Sequence, residues 1–204
     1  LDALVGAGKR LLTGESLFMT AFMNQGQGKK RLAFAAPYPG KIIPVHLATV
    51  GGELVAQKDA FLCAAKGVSL DIAFQKKLGV GFFGGEGFIM QRLKGDGWCF
   101  LNAGGNILER VLAPGELLRV DTGCIVAFAP SISYDIEIVS GVKSVLFGGE
   151  GLFWATLRGP GKIWLQSLPL SRMAQRIYAA VPQAGRRGRE EGSVLGGLGR
   201  ILDG

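Results

Sequence analysis

The sequence contains one histidine, His46, and three cysteines, Cys63, Cys99 and Cys124, among its 204 residues. A single histidine excludes a metal site built from several histidines of one chain, and the cysteines lack the paired spacing of zinc ligands. Their odd number and their apolar surroundings favour reduced thiols that pack as small side chains. We interpret His46 as a partly exposed strand residue, and a nucleophilic Cys/His pair is the less favoured alternative.

Long uninterrupted apolar runs are also missing. Glycines and charged residues interrupt every hydrophobic stretch before the roughly 18 residues that a membrane-spanning helix requires. No secretory signal is recognisable, and the first residue is leucine, so we expect further residues to precede it in the natural chain. These features predict a soluble, cytoplasmic protein.

The net charge of +7 is concentrated at the two ends of the chain. Residues 1–31 carry five basic and two acidic side chains, residues 169–204 carry six and three, and residues 32–168 carry twelve and eleven. A nearly neutral body disfavours a basic groove for nucleic acid. The basic, glycine-rich ends are instead candidates for contact with an anionic membrane surface or a neighbouring subunit.

The main positive feature is an internal repeat. The stretch "FFGGEGFIMQRLKGDG" at residues 82–97 returns as "LFGGEGLFWATLRGPG" at residues 146–161. Residues 68–101 align without a gap with residues 132–165, and 12 of the 34 pairs are identical, whereas chance gives about two or three. A weaker copy begins with "GESLFMTAF" at Gly14. We therefore predict about three repeats, near residues 14–67, 68–131 and 132–168, with the first copy truncated.

Short alternating segments indicate the secondary structure. "VSLDIAFQ" and "ISYDIEIVS" alternate apolar with polar residues and are rich in β-branched side chains, as half-buried strands are. "KIIPVHLATV", "ELLRV", "CIVAFAP" and "KIWLQSL" are further short strands bounded by turn residues. A helix is predicted from Leu170 to Ala180, after Pro169, and a weaker one near residues 1–12. The predicted fold is all-β, a β-sandwich or double-stranded β-helix-like fold built from the repeats, with a short C-terminal helix.

The repeated GGEG blocks carry the candidate site residues. Glycines before a glutamate suit turns that need positive φ or close backbone contact, and this is the favoured interpretation. Alternatively, the glutamates lie at equivalent places of the repeats and bind a cation or a basic partner. No lysine and serine or threonine follow, so the blocks are not phosphate loops. The positions concerned are Glu15, Gly84, Gly85, Glu86, Gly87, Gly148, Gly149, Glu150 and Gly151.

Two other sets of residues are better explained by the fold. Asp71 and Asp135 fall at equivalent positions of the repeats, whereas an acid/base pair usually breaks such symmetry. The tryptophans lie among apolar residues near turns, where packing in a core or an interface is their ordinary use. They are Trp98, Trp154 and Trp164.

The twin "FGGEG" blocks, with "GESLFMTAF", "PGKIIPV", "PGELLRVDTGCIVAF" and "SLPLSRMAQRI", resemble the altered-inheritance-of-mitochondria family over roughly residues 8–180. The resemblance implies a fold like that of the tryptophan RNA-binding attenuation protein, assembly as a homotrimer and no established catalytic residues. It also implies a mitochondrial location if the source is eukaryotic.

Together, these observations predict a β domain over residues 1–182 and a basic, glycine-rich tail over residues 183–204. We expect a non-enzymatic, homo-oligomeric scaffold or interaction protein whose main partner is itself, without a cofactor and with a peripheral membrane contact through its ends. The alternative is a module that binds nucleic acid or a small ligand in clefts between the repeats.

Overall fold

The computed structural model of the chain describes residues 20–76, 88–138 and 153–181. Within them the chain forms short strands joined by tight turns, which confirms the all-β prediction. The strands are β1 Lys41–His46, β2 Glu53–Gln57, β3 Phe61–Ala64, β4 Ser69–Lys76, β5 Phe88–Lys94, β6 Trp98–Ala103, β7 Ile107–Leu112, β8 Leu117–Asp121, β9 Ile125–Phe128, β10 Ser133–Ile138, β11 Phe153–Arg158 and β12 Gly161–Gln166.

The one α-helix of the described residues is α1, Leu170–Ala180, and it has the predicted bounds. Proline at position 169 suits this start, because its missing N–H is not needed there. The chain divides into one compact unit that ends at Met173 and a second that begins at Ala174. No residue of α1 is buried. The weaker helix predicted near residues 1–12 lies outside the described residues.

The strands form three antiparallel sheets. The first outer sheet has the order β1-β6-β3, the second outer sheet β10-β11-β8, and the central sheet β4-β5-β2-β9-β12-β7. One apolar core joins the first outer sheet to the central sheet and includes Leu54, Leu101 and Trp164. The other joins the second outer sheet to the central sheet and includes Phe128 and Leu157. Both faces are therefore covered in the middle of the central sheet, where β2 and β9 are buried at consecutive positions.

Strand pairing follows the same pattern twice, at the spacing of the internal repeat. Strands β1–β6 form the first half of the fold and strands β7–β12 form the second half. Each half is a small sandwich of two three-stranded sheets. Three residue pairs of the first half have counterparts in the second. Ser69 pairs with Lys94 as Ser133 pairs with Arg158, Glu53 pairs with Lys94 as Leu117 pairs with Arg158, and Phe61 pairs with Leu101 as Ile125 pairs with Leu165.

Turns between the strands recur at the same spacing. Gln57 accepts a hydrogen bond from the Asp59 N–H at 2.8 Å, and Asp121 accepts one from the Gly123 N–H at 2.9 Å, each at the start of a 3-10 turn. The two halves begin at β1 and β7, and the repeat bounds predicted from the sequence stay a prediction. The described part of the chain before β1, residues 20–40, contains neither helix nor strand, and the predicted count of three repeats stays a prediction.

The two halves join edge to edge inside the central sheet. Strand β2 of the first half pairs with β9 of the second, with Val55 opposite Phe128 and Ala56 opposite Ala127. All four of these residues are buried. We call this pairing the internal junction, and it makes the sandwiches one structural unit.

Candidate functional site

The candidate GGEG positions fall outside the described residues. Glu15 lies within residues 1–19, Gly84, Gly85, Glu86 and Gly87 lie within residues 77–87, and Gly148, Gly149, Glu150 and Gly151 lie within residues 139–152. Their role as turns or as ligands stays a prediction. The candidate sites below are therefore built from other residues.

The described residues form a cleft of about 280 Å³ between the two halves. One wall belongs to β1, β6 and the turn after β1, and the other belongs to β7 and β12. We call it the inter-half cleft. Its lining consists of Pro44, Val45, His46, Thr49, Val50, Trp98, Glu109, Lys162 and Trp164.

The first wall of the inter-half cleft is aromatic. His46 and Trp98 are direct partners in the β1–β6 pairing, and their ring centroids are 4.9 Å apart. Trp98 is 48% exposed, whereas His46 is half-buried, which agrees with its predicted place as a partly exposed strand residue. The Thr49 hydroxyl donates to the His46 carbonyl oxygen at 2.7 Å and so holds the turn that closes this wall.

The second wall carries a charge pair over an aromatic ring. The Lys162 ammonium lies 2.6 Å from a Glu109 carboxylate oxygen and 4.8 Å from the ring centroid of Trp164. Trp164 is 3% exposed and forms the base of this arrangement. An ammonium over an indole face is attracted by the ring quadrupole, and the carboxylate neutralises it. The wall can hold the polar end of a small amphipathic molecule whose flat part contacts Trp98.

Sequence reasoning did not single out Lys162 or Glu109. Trp98 and Lys162 occupy equivalent positions of the alignment between the two repeats, so an aromatic ring on one half stands where the other half has an ammonium. A search for positions at which the two aligned repeats carry chemically different side chains could have identified these residues. Sequence alone did not show that these two positions face one cleft.

The structure places His46 and Cys99, one form of the alternative Cys/His pair, on opposite faces of the first outer sheet. Cys99 follows Trp98 on β6 and therefore points to the opposite face, where it is buried in the first core. Burial raises the pKa of the Cys99 thiol to about 11, and burial also raises the pKa of Cys63 and Cys124. A raised pKa keeps these thiols protonated near neutral pH and makes them poor nucleophiles.

Other predicted residues are likewise kept apart or packed. Asp71 lies opposite Arg92 in the central sheet, and Asp135 lies opposite Thr156 in the second outer sheet, so the structure does not bring the two carboxylates together. Trp164 packs in a core as predicted, while Trp154 is partly exposed. In the described ranges, no cluster of three or more histidine, cysteine, aspartate or glutamate side chains is placed to hold a metal ion.

Two strands form a second kind of surface. Strand β3 pairs only with β6, and β8 pairs only with β11, among the residues that the structure describes, so each leaves one edge unpaired. All four residues of β3, the sequence FLCA, are half-buried, and Leu117 at the start of β8 is 53% exposed. An apolar edge strand is a template for pairing with another chain.

The fold and these surfaces define a class: a duplicated β-sandwich protein that has, in its described part, an aromatic cleft and the unpaired edges of β3 and β8. The chain belongs to the family described as mitochondrial biogenesis AIM24, whose sequence model matches residues 2–168.

Two bacterial proteins are similar to this chain. The chain is 32% identical over 185 residues to the uncharacterised protein M6_Spy0233 of Streptococcus pyogenes serotype M6, and the match covers 89% of this chain and 71% of that protein. It is also similar to the crystal structure of protein SPYM3_0169 from Streptococcus pyogenes, with a TM-score of 0.68 and 29% identity over 89% of this chain and 78% of that chain. No helix in the described part of the chain has the length and apolar character to cross a bilayer.

Proposed function

We propose that this chain is a non-enzymatic interaction protein that acts as a homo-oligomer. The observation that carries the proposal is the contrast between β9 and β3, two strands at equivalent positions of the halves. Strand β9 is fully buried where it meets β2 at the internal junction, whereas its equivalent β3 is half-buried and has one edge that no other described strand pairs with. Exposed apolar edges are a liability that pairing with another copy removes. A trimer, which the family resemblance implies, is the assembly that we propose.

Light scattering on the native protein tests this function. We expect a mass of three times the 21.6 kDa of one chain, and we expect it to persist on dilution to the micromolar range. A particle of 21.6 kDa at all concentrations would contradict the proposal. Intact-chain mass spectrometry of the same sample fixes the chain mass by which the particle mass is divided.

We propose in addition that the ends of the chain bring the assembly to anionic membrane surfaces. Residues 1–31 and 169–204 hold eleven of the 23 basic side chains against five of the 16 acidic ones. Basic segments near an anionic surface gain roughly 1 kcal/mol per Lys or Arg. Flotation with vesicles that contain phosphatidylserine tests this contact, with a chain that lacks residues 183–204 as the matched variant. Failure of both chains to float contradicts it.

The inter-half cleft supports a second candidate function, the binding of a small amphipathic ligand. The observation that favours it is the joint placement of Trp98, His46 and the Lys162–Glu109 pair on two facing walls. Thermal-shift screening with small aromatic amines and aromatic acids tests it, because a ligand that binds the folded state raises its melting temperature. We expect Trp98→Ala to remove the shift and Trp154→Ala to keep it. An unchanged shift in the first variant would place the ligand elsewhere.

A further inference from the structure

Strands β3 and β8 each have one edge that no other strand of the described residues pairs with, and these edges point to one specific mode of self-association. We propose that β3 of one copy pairs antiparallel with β8 of a second copy and repeats the geometry of the internal junction. This inference rests on the proposed self-association and adds its partner surfaces and its register.

The internal junction shows how one half of the chain attaches to the other. Its two strands pair antiparallel, with Val55 opposite Phe128 and Ala56 opposite Ala127, and the side chains of both strands enter the cores on either side of the central sheet. Exposed fractions are at most 3% for these four residues. The chain therefore already contains one closed example of contact between two halves.

Each of the two strands that form the internal junction has a counterpart in the opposite half of the chain. Strand β8 takes the place of β2, because β8 pairs with β11 as β2 pairs with β5. Strand β3 takes the place of β9, because β3 pairs with β6 as β9 pairs with β12. The same two kinds of edge that meet inside the chain are thus presented again at its other ends.

The strands of the internal junction are more buried than their counterparts β3 and β8. Strand β9 is buried at all four positions, and all four positions of its counterpart β3 are half-buried. In β2, Val55 and Ala56 are buried, whereas their counterparts Arg119 and Val120 in β8 are exposed and half-buried. Side chains that are half-exposed in one copy would therefore gain the burial that their counterparts already have.

A second copy is the partner that fits both edges. Within one chain, β3 and β8 belong to different outer sheets and do not pair with each other. The edge that fits β3 is a β8 edge, and the edge that fits β8 is a β3 edge, so each copy meets two neighbours. Such a contact is head-to-tail and closes into a ring when its rotation allows. Three chains would place six half-units around that ring.

The register follows from the spacing of the internal repeat. Ala56 and Ala127 lie opposite each other at the internal junction, and their counterparts at that spacing are Val120 and Cys63. Val120 of one copy is therefore expected opposite Cys63 of the next. Residues directly opposite in antiparallel strands have Cα atoms roughly 4.5–5.5 Å apart, which lies within the range of a disulfide.

A single substitution tests this register in the full chain. The variant Val120→Cys supplies a thiol opposite the native Cys63, and mild oxidation is expected to join copies into disulfide-linked species on a non-reducing gel. Since head-to-tail contacts repeat around the ring, the fully linked ladder should end at the size of the whole assembly. Mass spectrometry of the linked peptides identifies the two cysteines.

Two control variants make the result specific. Arg119 is expected opposite Ala64 of the next copy, so Arg119→Cys places the thiol one residue away on the other face of the sheet, and it should link several-fold less. Val120→Cys combined with Cys63→Ala should lose the links altogether. Light scattering on each reduced variant shows that it folds and assembles as the natural chain does.

The outcomes separate the register from the function. Linkage between positions 63 and 120 supports the proposed pairing. An oligomer whose Val120→Cys variant stays unlinked, or links equally well without Cys63, overturns the register while self-association stands. A chain that is monomeric before any substitution overturns both.

Discussion

Two glycines sit where another backbone segment is in direct contact. A Cβ on Gly104 would lie 1.9 Å from the Leu168 carbonyl oxygen, and a Cβ on Gly40 would lie 2.2 Å from the Ala103 carbonyl oxygen. Real Cβ atoms essentially never come within 3.0 Å of another heavy atom, so the backbones would have to separate. The two glycines occupy equivalent positions of the duplicated pattern and serve the same close approach in each half.

We predict that Gly104→Ala lowers the free energy of unfolding by about 1–3 kcal/mol, as overpacking does at close contacts. Urea denaturation measures the change. Gly26→Ala is the matched control, because the nearest atom to its Cβ would be 3.7 Å away, and it should leave the midpoint unchanged. Equal effects of both substitutions would contradict the steric explanation.

Glu116 provides a pH-dependent contribution at the turn between β7 and β8. Its carboxylate accepts a hydrogen bond from the Ala113 N–H at 2.7 Å and pairs with the Arg110 guanidinium. The backbone hydrogen bond, followed by Arg110, lowers the pKa of Glu116 below its usual value. Because the pKa of Glu116 is lower in the folded state than in the unfolded state, its ionised carboxylate stabilises the folded state. This contribution is complete above the pKa of the unfolded state and is lost as the pH falls through the pKa of the folded state.

We therefore predict that Glu116→Gln melts at a lower temperature than the natural chain near neutral pH and that the difference narrows towards acid. Melting curves recorded from about pH 6 down to about pH 2 span the titration of carboxylates in proteins. A difference that stays constant over this range would show that the titration of Glu116 plays no part.

Among the elements, β3 and β9 have equivalent partners but different surroundings. Both are short and apolar, FLCA and IVAF, and among the strands that the structure describes β9 has a partner on both edges whereas β3 has one on a single edge. In the proposed register, Leu62 on β3 would lie opposite Asp121 of the next copy. A negative charge at Leu62 should therefore oppose assembly, because like charges placed directly opposite across strands destabilise their pairing.

We predict that Leu62→Glu shifts the native mass towards one chain at concentrations where the natural protein is assembled, with self-association weakened roughly tenfold or more. Leu62→Gln is the matched control without the charge, and it should assemble better than the glutamate variant. Analytical ultracentrifugation gives both association constants. Equal assembly of the two variants would contradict a contact between Leu62 and the β8 edge.

Most elements could be predicted from local patterns. The segments around Asp71 and Asp135 alternate as half-buried strands do, and they form β4 and β10. Helix α1 has the predicted bounds because Pro169 fixes its start and its residues favour helix. The division of the strands among three sheets could not be predicted from the sequence. Strands β2 and β9 lie far apart in the chain, and no local pattern specifies which strands share a sheet.

At the scale of the whole molecule, the central sheet belongs to both halves. Its strands contribute to both cores, and the internal junction places Val55 in the second core beside residues of the second half. A small unit with shared cores is expected to unfold cooperatively. A substitution that destabilises one half should therefore also lower the stability of the other half.

We predict that Leu157→Ala, in the second half, costs about 2–5 kcal/mol and accelerates global hydrogen exchange in β6 of the first half as much as in β12. Leu157 is fully buried. Hydrogen exchange with mass spectrometry measures both strands in one experiment. Faster exchange confined to β10, β11 and β12 would show that the halves unfold separately.

The sequence by itself determined the strands, the one described α-helix, the spacing of the internal repeat and the family, because alternation, proline placement and repeated phrases are local or periodic features. Only the tertiary structure decided that β2 meets β9, that Trp98 and Lys162 face one cleft and that β3 and β8 keep unpaired edges among the described residues. These contacts join residues distant in the chain, and their geometry depends on how two apolar cores close over one shared sheet rather than on the residues beside each position.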